Sequence, residues 1–375
     1  MPLVSEQLDS FVYATLDIWN EKVFYQGQEF PAGYFAASIL NVSDDEMNEL
    51  LRRGGAPTFS LPSVIQGSDQ EAALAFPALR EQIRDLVKLL WRYPPFCHNN
   101  LERELALVDE LFHDIVFPSI REPYSEFQEE FLKYITGITR IPLAIMNFAA
   151  AGRFFEAGYL QRLKERTESS FAAAANDCFN SKWFWDMMRK LPQPRVFQGK
   201  DVETFSMYPG IYSAYMIVRN VRNEKEMLFA NRINFPRFVD FYTYDLINGL
   251  HHGHAPSQCQ GCGIYFLTTN RHRPKYCNGM APQDSRMTCR QYGAMMQQKE
   301  KNKQHPIYQI FSTRTNTIRK HNQRGKISDE LRQEAIHLAQ QYRDKALMDN
   351  DYAANGYQRD MEQEHIYEEA KKRLK

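Results

Sequence analysis

The sequence predicts a mainly α protein with a few short strands, a small cysteine-pinned module toward its carboxyl end, and helices after it. Three observations carry this expectation. Apolar residues recur at helical spacing through most of the first 190 residues. Aromatic and β-branched residues crowd together only in a short stretch beyond Pro192-Gln193-Pro194. Four of the six cysteines fall between residues 259 and 289.

At 375 residues the chain has room for two or three domains, each able to bury a core. Apolar residues at 43% and charged residues at 25% are ordinary globular values and exclude a globally disordered chain. The 25 Phe and 20 Tyr, most of them before residue 250, read as a large aromatic core. The first residues lack the basic head and apolar stretch of a secretory signal. The longest apolar run, Ile141 to Gly152, is about half the length needed to span a bilayer and reads as a buried helix. The expectation is therefore a cytoplasmic protein with no membrane partner. In that reducing setting cysteines serve as metal ligands or buried thiols more often than as disulfides.

Taken in order, residues 1–191 read as a helical amino-terminal domain. Met47, Leu50 and Leu51 mark one helical face that Gly54-Gly55 should stop. Leu79, Ile83, Leu86, Leu89 and Leu90 mark a second, ended by Pro94-Pro95, and Leu101 to Val116 a third. Phe127, Phe131, Tyr134 and Ile135 begin a stripe that Pro142 should interrupt, and Phe171 to Met188 supplies another. Residues 195–250 read as a small α+β segment, with strands at Thr204–Tyr208 and Ala214–Val221 and a helix over Phe238–Leu250. Residues 327–375 read as carboxyl-terminal helices: Ser328 is an N-cap with acidic residues behind it, and a last helix covers Arg359–Leu374.

Between these lies the module of residues 251–326. Cys259-Gln260-Gly261-Cys262 is followed by fourteen residues, Cys277, eleven more residues and Cys289. A C-x-x-C turn presents two thiolates to one ion, and Zn2+ favours four such ligands in a tetrahedron. Gly261 and Gly263 supply backbone freedom. Ile264–Leu267 reads as a strand, with Arg273–Tyr276 returning beside it to bring Cys277 back. Cys289 opens a helix over Arg290–Lys301, where amide dipoles favour a thiolate. Knuckle, hairpin and helix-borne ligand make a treble-clef-like module holding one structural Zn2+ on Cys259, Cys262, Cys277 and Cys289. His254 and His272 stand as alternatives for one of the four places. Cys97 and Cys178, each alone in helical context, read as buried thiols.

The net charge is zero, yet residues 251–326 hold 13 lysines and arginines against Asp284 and Glu300 alone, a balance of +11. Charge segregated in this way points to an anionic partner. Arg271, Arg273, Lys275, Arg286 and Arg290, with the rings of Tyr265 and Tyr276, are the candidate contacts to DNA or RNA. The rival is a zinc-stabilised module whose basic face docks a protein partner.

The run Cys259-Gln260-Gly261-Cys262-Gly263-Ile264-Tyr265-Phe266, with Tyr276-Cys277 and Cys289-Arg290, resembles the CGNR-type zinc finger. It is similar in particular to an uncharacterised bacterial family, mostly from Gram-positive genomes, over roughly residues 230–345. The resemblance implies a finger of nucleic-acid-binding type, as in a regulator, with the four cysteines in the ligand places. This chain reads Cys289-Arg290-Gln291-Tyr292 where the name motif reads Cys-Gly-Asn-Arg. The sequence carries neither a G-x-x-x-x-G-K-S/T phosphate loop nor a G-x-S-x-G elbow. His251-His252-Gly253-His254 has no carboxylate cluster close by in sequence, and no catalytic residue is assigned.

Overall fold

The amino-terminal residues begin as strands. In the computed structural model, which describes residues 14–190, 212–220, 223–235, 237–269 and 274–374, strands β1 (Ala14–Trp19), β2 (Lys22–Tyr25) and β3 (Gln28–Pro31) form an antiparallel meander. This corrects the helical expectation for the start of the chain. The meander turns where Asn20, Gln26 and Gly27 take positive φ, and the last two together make the tight two-residue loop that suits twisted strands. The strands are stabilised from far along the chain. β5 (Asn223–Phe235) runs antiparallel to β1 in the register Ala14↔Phe235 to Ile18↔Asn231, and β4 (Tyr212–Asn220) lies outside it. The sheet order is β3-β2-β1-β5-β4. Asp17 and Arg232, directly opposite each other, join β1 to β5 by two hydrogen bonds of 2.7 Å.

Helix nevertheless accounts for 67% of the described residues, so the mainly α class holds and the strands are the minor component. After the short helix α1 (Tyr34–Ile39) come α2 (Asp44–Gln66) and α3 (Asp69–Leu90). Each begins with a capping box, Ser43 with Glu46 and Ser68 with Glu71. Gly54-Gly55 does not stop α2, which continues through Pro57 and Pro62. Gly54 is instead a contact point, buried against Pro142. α4 (Leu101–Leu111) and α5 (Phe117–Arg121) lead to α6 (Glu126–Gly158), a 33-residue helix that runs unbroken through Pro142. By length and composition α6 could cross a bilayer, longer than the half span expected, and 56% of its most apolar window is buried inside the protein. Its Phe131, Tyr134, Ile138, Ile141 and Ile145 are central to the core, together with Phe35 of α1 and Phe235 of β5. The expected stripe over Phe171–Met188 divides into α7 (Glu168–Phe179) and α8 (Lys182–Lys190). α9 (Phe238–His251) buries Phe238, Phe241 and Tyr242, so the richness in rings is core packing, as expected.

The chain divides into two compact units, Met1–Cys277 and Asn278–Lys375. The second is helical apart from a small hairpin. Its helices are α10 (Cys289–Gln304), α11 (Pro306–Gln323), α12 (Asp329–Met348), α13 (Asn350–Asn355), α14 (Tyr357–Asp360) and α15 (Gln363–Arg373). Ser328 caps α12 by accepting the Leu331 N–H, as expected. The single last helix expected over Arg359–Leu374 breaks at Met361-Glu362. Ile318, Leu331, Leu338, Tyr357, Met361 and Ile366 build this unit's own core. The Pro192–Pro194 boundary and the strand over Thr204–Tyr208 lie outside the described residues.

Candidate metal centre

The first cysteine pair sits at the tip of a hairpin formed with the strand that precedes it. β7 (Tyr265–Thr268) pairs with β6 (Ala255–Gln258), the strand before the C-x-x-C turn, while the expected return over Arg273–Tyr276 begins outside the described residues. The knuckle closes by local hydrogen bonds: the Cys259 N–H donates to Ile264 O and the Gly263 N–H to Cys259 O, both at 2.9 Å. Gly263 takes φ +77°, a conformation in which a β-carbon is strained. A turn this short lets the strand before it and the strand after it pair directly.

Cys277 reaches the knuckle because the Gln260 N–H donates to Lys275 O at 2.9 Å and the Cys277 N–H points at Cys259 Sγ, 3.3 Å away. The eleven-residue spacer folds into a hairpin of β8 (Met280–Ala281) and β9 (Asp284–Thr288). Cys289 is the first residue of α10, whose N-cap Thr288 forms a capping box with Gln291. Its N–H is held by Gly279 O at 2.7 Å.

The Sγ atoms of Cys259, Cys262, Cys277 and Cys289 all lie within 4.8 Å of one another. Three of the four residues are buried and Cys262 is partly so. The Cys262–Cys277 separation of 3.6 Å is far beyond a disulfide bond and matches the edge, about 3.8 Å, of a tetrahedron of sulfurs each about 2.3 Å from a central ion. The four cysteines can therefore hold one metal ion. Burial raises the Cys259 thiol, but the N–H groups of Cys277, Cys262 and Gly261 aimed at its sulfur outweigh that and bring it down to about 7. Such N–H groups favour the thiolate a metal requires.

The histidine alternatives separate. His254 is buried with Nδ1 3.0 Å from Ala32 O and has no part in the cluster; His272 lies outside the described residues. His251 meets Glu168 at 2.6 Å on the surface. Cys178 is buried as expected, whereas Cys97 is exposed.

Of the candidate nucleic-acid contacts, Arg271 and Arg273 also lie outside the described residues. Lys275, Arg286 and Arg290 are all exposed, and Arg286 is engaged by Asp284 at 3.1 Å. Tyr265 packs against the core, which raises its phenol above the ordinary value. Sequence reasoning missed Asn41, Arg153 and Glu156, which touch the hairpin or the segment beside it from more than 100 residues away; no local pattern announces them.

Fold and site thus define a mainly helical protein carrying a four-cysteine cluster able to hold a metal ion. Residues 207–373 match the model of a family of unknown function (DUF6076), a span that holds all four cysteines and the helices after them. No curated protein and no solved structure matches the chain.

Proposed function

We propose that the four cysteines hold one structural Zn2+ in a treble-clef-like finger, and that the protein binds nucleic acid through the basic helices that follow. Four thiolates leave no open coordination position, so the ion stabilises structure and performs no chemistry. Its binding would contribute on the order of 10 kcal/mol to folding of the module. The knuckle, the β8–β9 hairpin and a ligand in the first turn of α10 support the treble-clef reading.

The observation that carries the nucleic-acid reading is the state of the cations on α10, α11 and the turn after them. Arg290, Lys299, Lys301, Arg319, Lys320, Arg324 and Lys326 are all exposed, and none is in an ion pair among the described residues. Unneutralised cations along two consecutive helices suit a phosphate backbone. The engagement of Tyr265 in the core favours phosphate contacts over stacking on bases.

The test is a fluorescence-anisotropy titration of zinc-loaded protein against mixed-sequence duplex and single strands at several salt concentrations. With about five phosphates contacted on duplex DNA, log affinity falls against log salt with a slope of about −4.5. Absence of binding even at low salt sinks the reading. A protein-contact function would then take its place, favoured by the exposed apolar side chains of Tyr215, Ile217, Met227 and Phe229 on β4–β5.

A further inference from the structure

Among the described residues, the hairpin that carries Cys259 and Cys262 has only two strands, so the outer edges of β6 and β7 have no neighbouring strand. At the rung nearest the knuckle, Gln258↔Tyr265, the outward backbone groups meet side chains instead. Asn41 takes both groups of Tyr265: its Nδ2 donates to Tyr265 O at 2.9 Å and its Oδ1 accepts the Tyr265 N–H at 2.7 Å. One side-chain amide thus reproduces the paired contact that a neighbouring strand would make. On the opposite edge the Gln258 N–H donates to Glu156 Oε1 at 3.3 Å.

Asn41 is itself held in place. It follows the end of α1, and Arg153 of α6 grips the carbonyls on either side of it, Leu40 O at 2.9 Å and Val42 O. One helical turn separates Arg153 from Glu156, so a single stretch of α6 sets both clamps on the hairpin. Asn41, Arg153 and Glu156 all lie outside residues 207–373.

We propose that Asn41 is a positioning residue for the metal centre, fixing the rung from which the Cys259–Cys262 knuckle projects so that its two thiolates are preorganised for the ion. The proposal rests on the metal reading above. A ligand pair that is already aimed loses less freedom on binding, and loss of such outer support typically costs about tenfold or more in metal affinity.

The experiment uses the full chain with Asn41→Ala and Asn41→Asp. Co2+ is titrated in place of Zn2+ and its visible ligand-field spectrum recorded, followed by the rate of metal loss to a chelator. Amide hydrogen exchange of the metal-free proteins is measured in parallel. Asn41 is exposed, so both variants are expected to keep the helical circular dichroism of the parent. Asn41→Ala should bind Co2+ about tenfold more weakly and release it faster, with faster exchange at Tyr265 and unchanged exchange in α6 and α9. Asn41→Asp keeps the acceptor for the Tyr265 N–H but sets a carboxylate oxygen against Tyr265 O, and should be impaired at least as much. Parent-like affinity and release in both variants, with the parent binding metal, overturn the positioning role alone. A parent that takes up no metal overturns the metal reading and this proposal with it.

Discussion

Gly54 of α2 lies so close to Pro142 of α6 that a β-carbon on the glycine would sit 2.7 Å from the proline Cγ. The neighbouring Gly55 would meet nothing within 4 Å. The two glycines therefore respond oppositely to the same substitution. Gly54→Ala forces helix α2 away from α6, an overpacking cost of about 1–3 kcal/mol that exceeds the roughly 1 kcal/mol gained in helix propensity. Gly55→Ala keeps the propensity gain and should stabilise by up to about 1 kcal/mol. Urea denaturation of both variants checks the pair; equal shifts of the same sign would refute the close-approach account.

Metal content tests the four-thiol centre directly. The purified protein should carry one zinc per chain by elemental analysis, and Cys262→Ser or Cys289→Ser should abolish stoichiometric binding. Chelation should raise hydrogen exchange in residues 255–268 while the core around Phe131 and Tyr134 stays protected. Full zinc retention in both serine variants would remove the assignment.

Charge reversal at Arg319, Lys320 and Arg324 should weaken duplex binding and reduce the salt slope by about 0.9 for each phosphate that is no longer neutralised. Reversal of Lys372, which is already paired with Glu369 at 2.6 Å, should leave binding unchanged. The same anisotropy titration serves both, and if reversal of Lys372 weakened binding by about a third as much, in proportion to the charge changed, net charge alone would be responsible.

Stability should depend on pH through Glu104. Burial raises its carboxyl from the ordinary 4.5 to about 7, against the opposing hydrogen bond from the Tyr134 hydroxyl at 2.9 Å. Between about pH 4.5 and 7 the folded state holds a proton that the unfolded state has released, so stability falls as pH rises through that window. Above it, both states are ionised and the folded one bears the net cost of a charge in the core, on the order of 3 kcal/mol. Glu104→Gln removes that cost and should be the more stable protein at pH 8. It should also flatten the slope below pH 7, leaving the contribution of Asp245, which burial raises to about 6. Parallel stability curves for parent and variant across this range would contradict the assignment.

Local features are legible in the sequence and long-range ones are not. Ser328, Cys289 at a helix start and the helix over Phe238–Leu250 follow from capping and periodicity, which act within a few residues. Gly54-Gly55 and Pro142 mislead because their local effect is to break helices, while here Gly54 and Pro142 form a close helix contact. β1 is hidden because its stability comes from β5, more than 200 residues away. At the candidate site, the four ligands are readable from spacing. The pairing of β6 with β7 and the Asn41 clamp are not, since both depend on which backbone edges the folded chain leaves open.

The pairing of β1 with β5 also constrains how the protein is made. Ala14 leaves the ribosome more than 200 residues ahead of its partner Phe235, a delay of roughly 10–40 s at ordinary rates of synthesis. For that interval β1 lacks the strand that covers its edge in the folded protein, with Ile233 not yet available across from Leu16. The nascent chain has to shield that edge until β5 emerges. Slowing translation before residue 235 should therefore lower the soluble yield of this protein more than slowing it afterward.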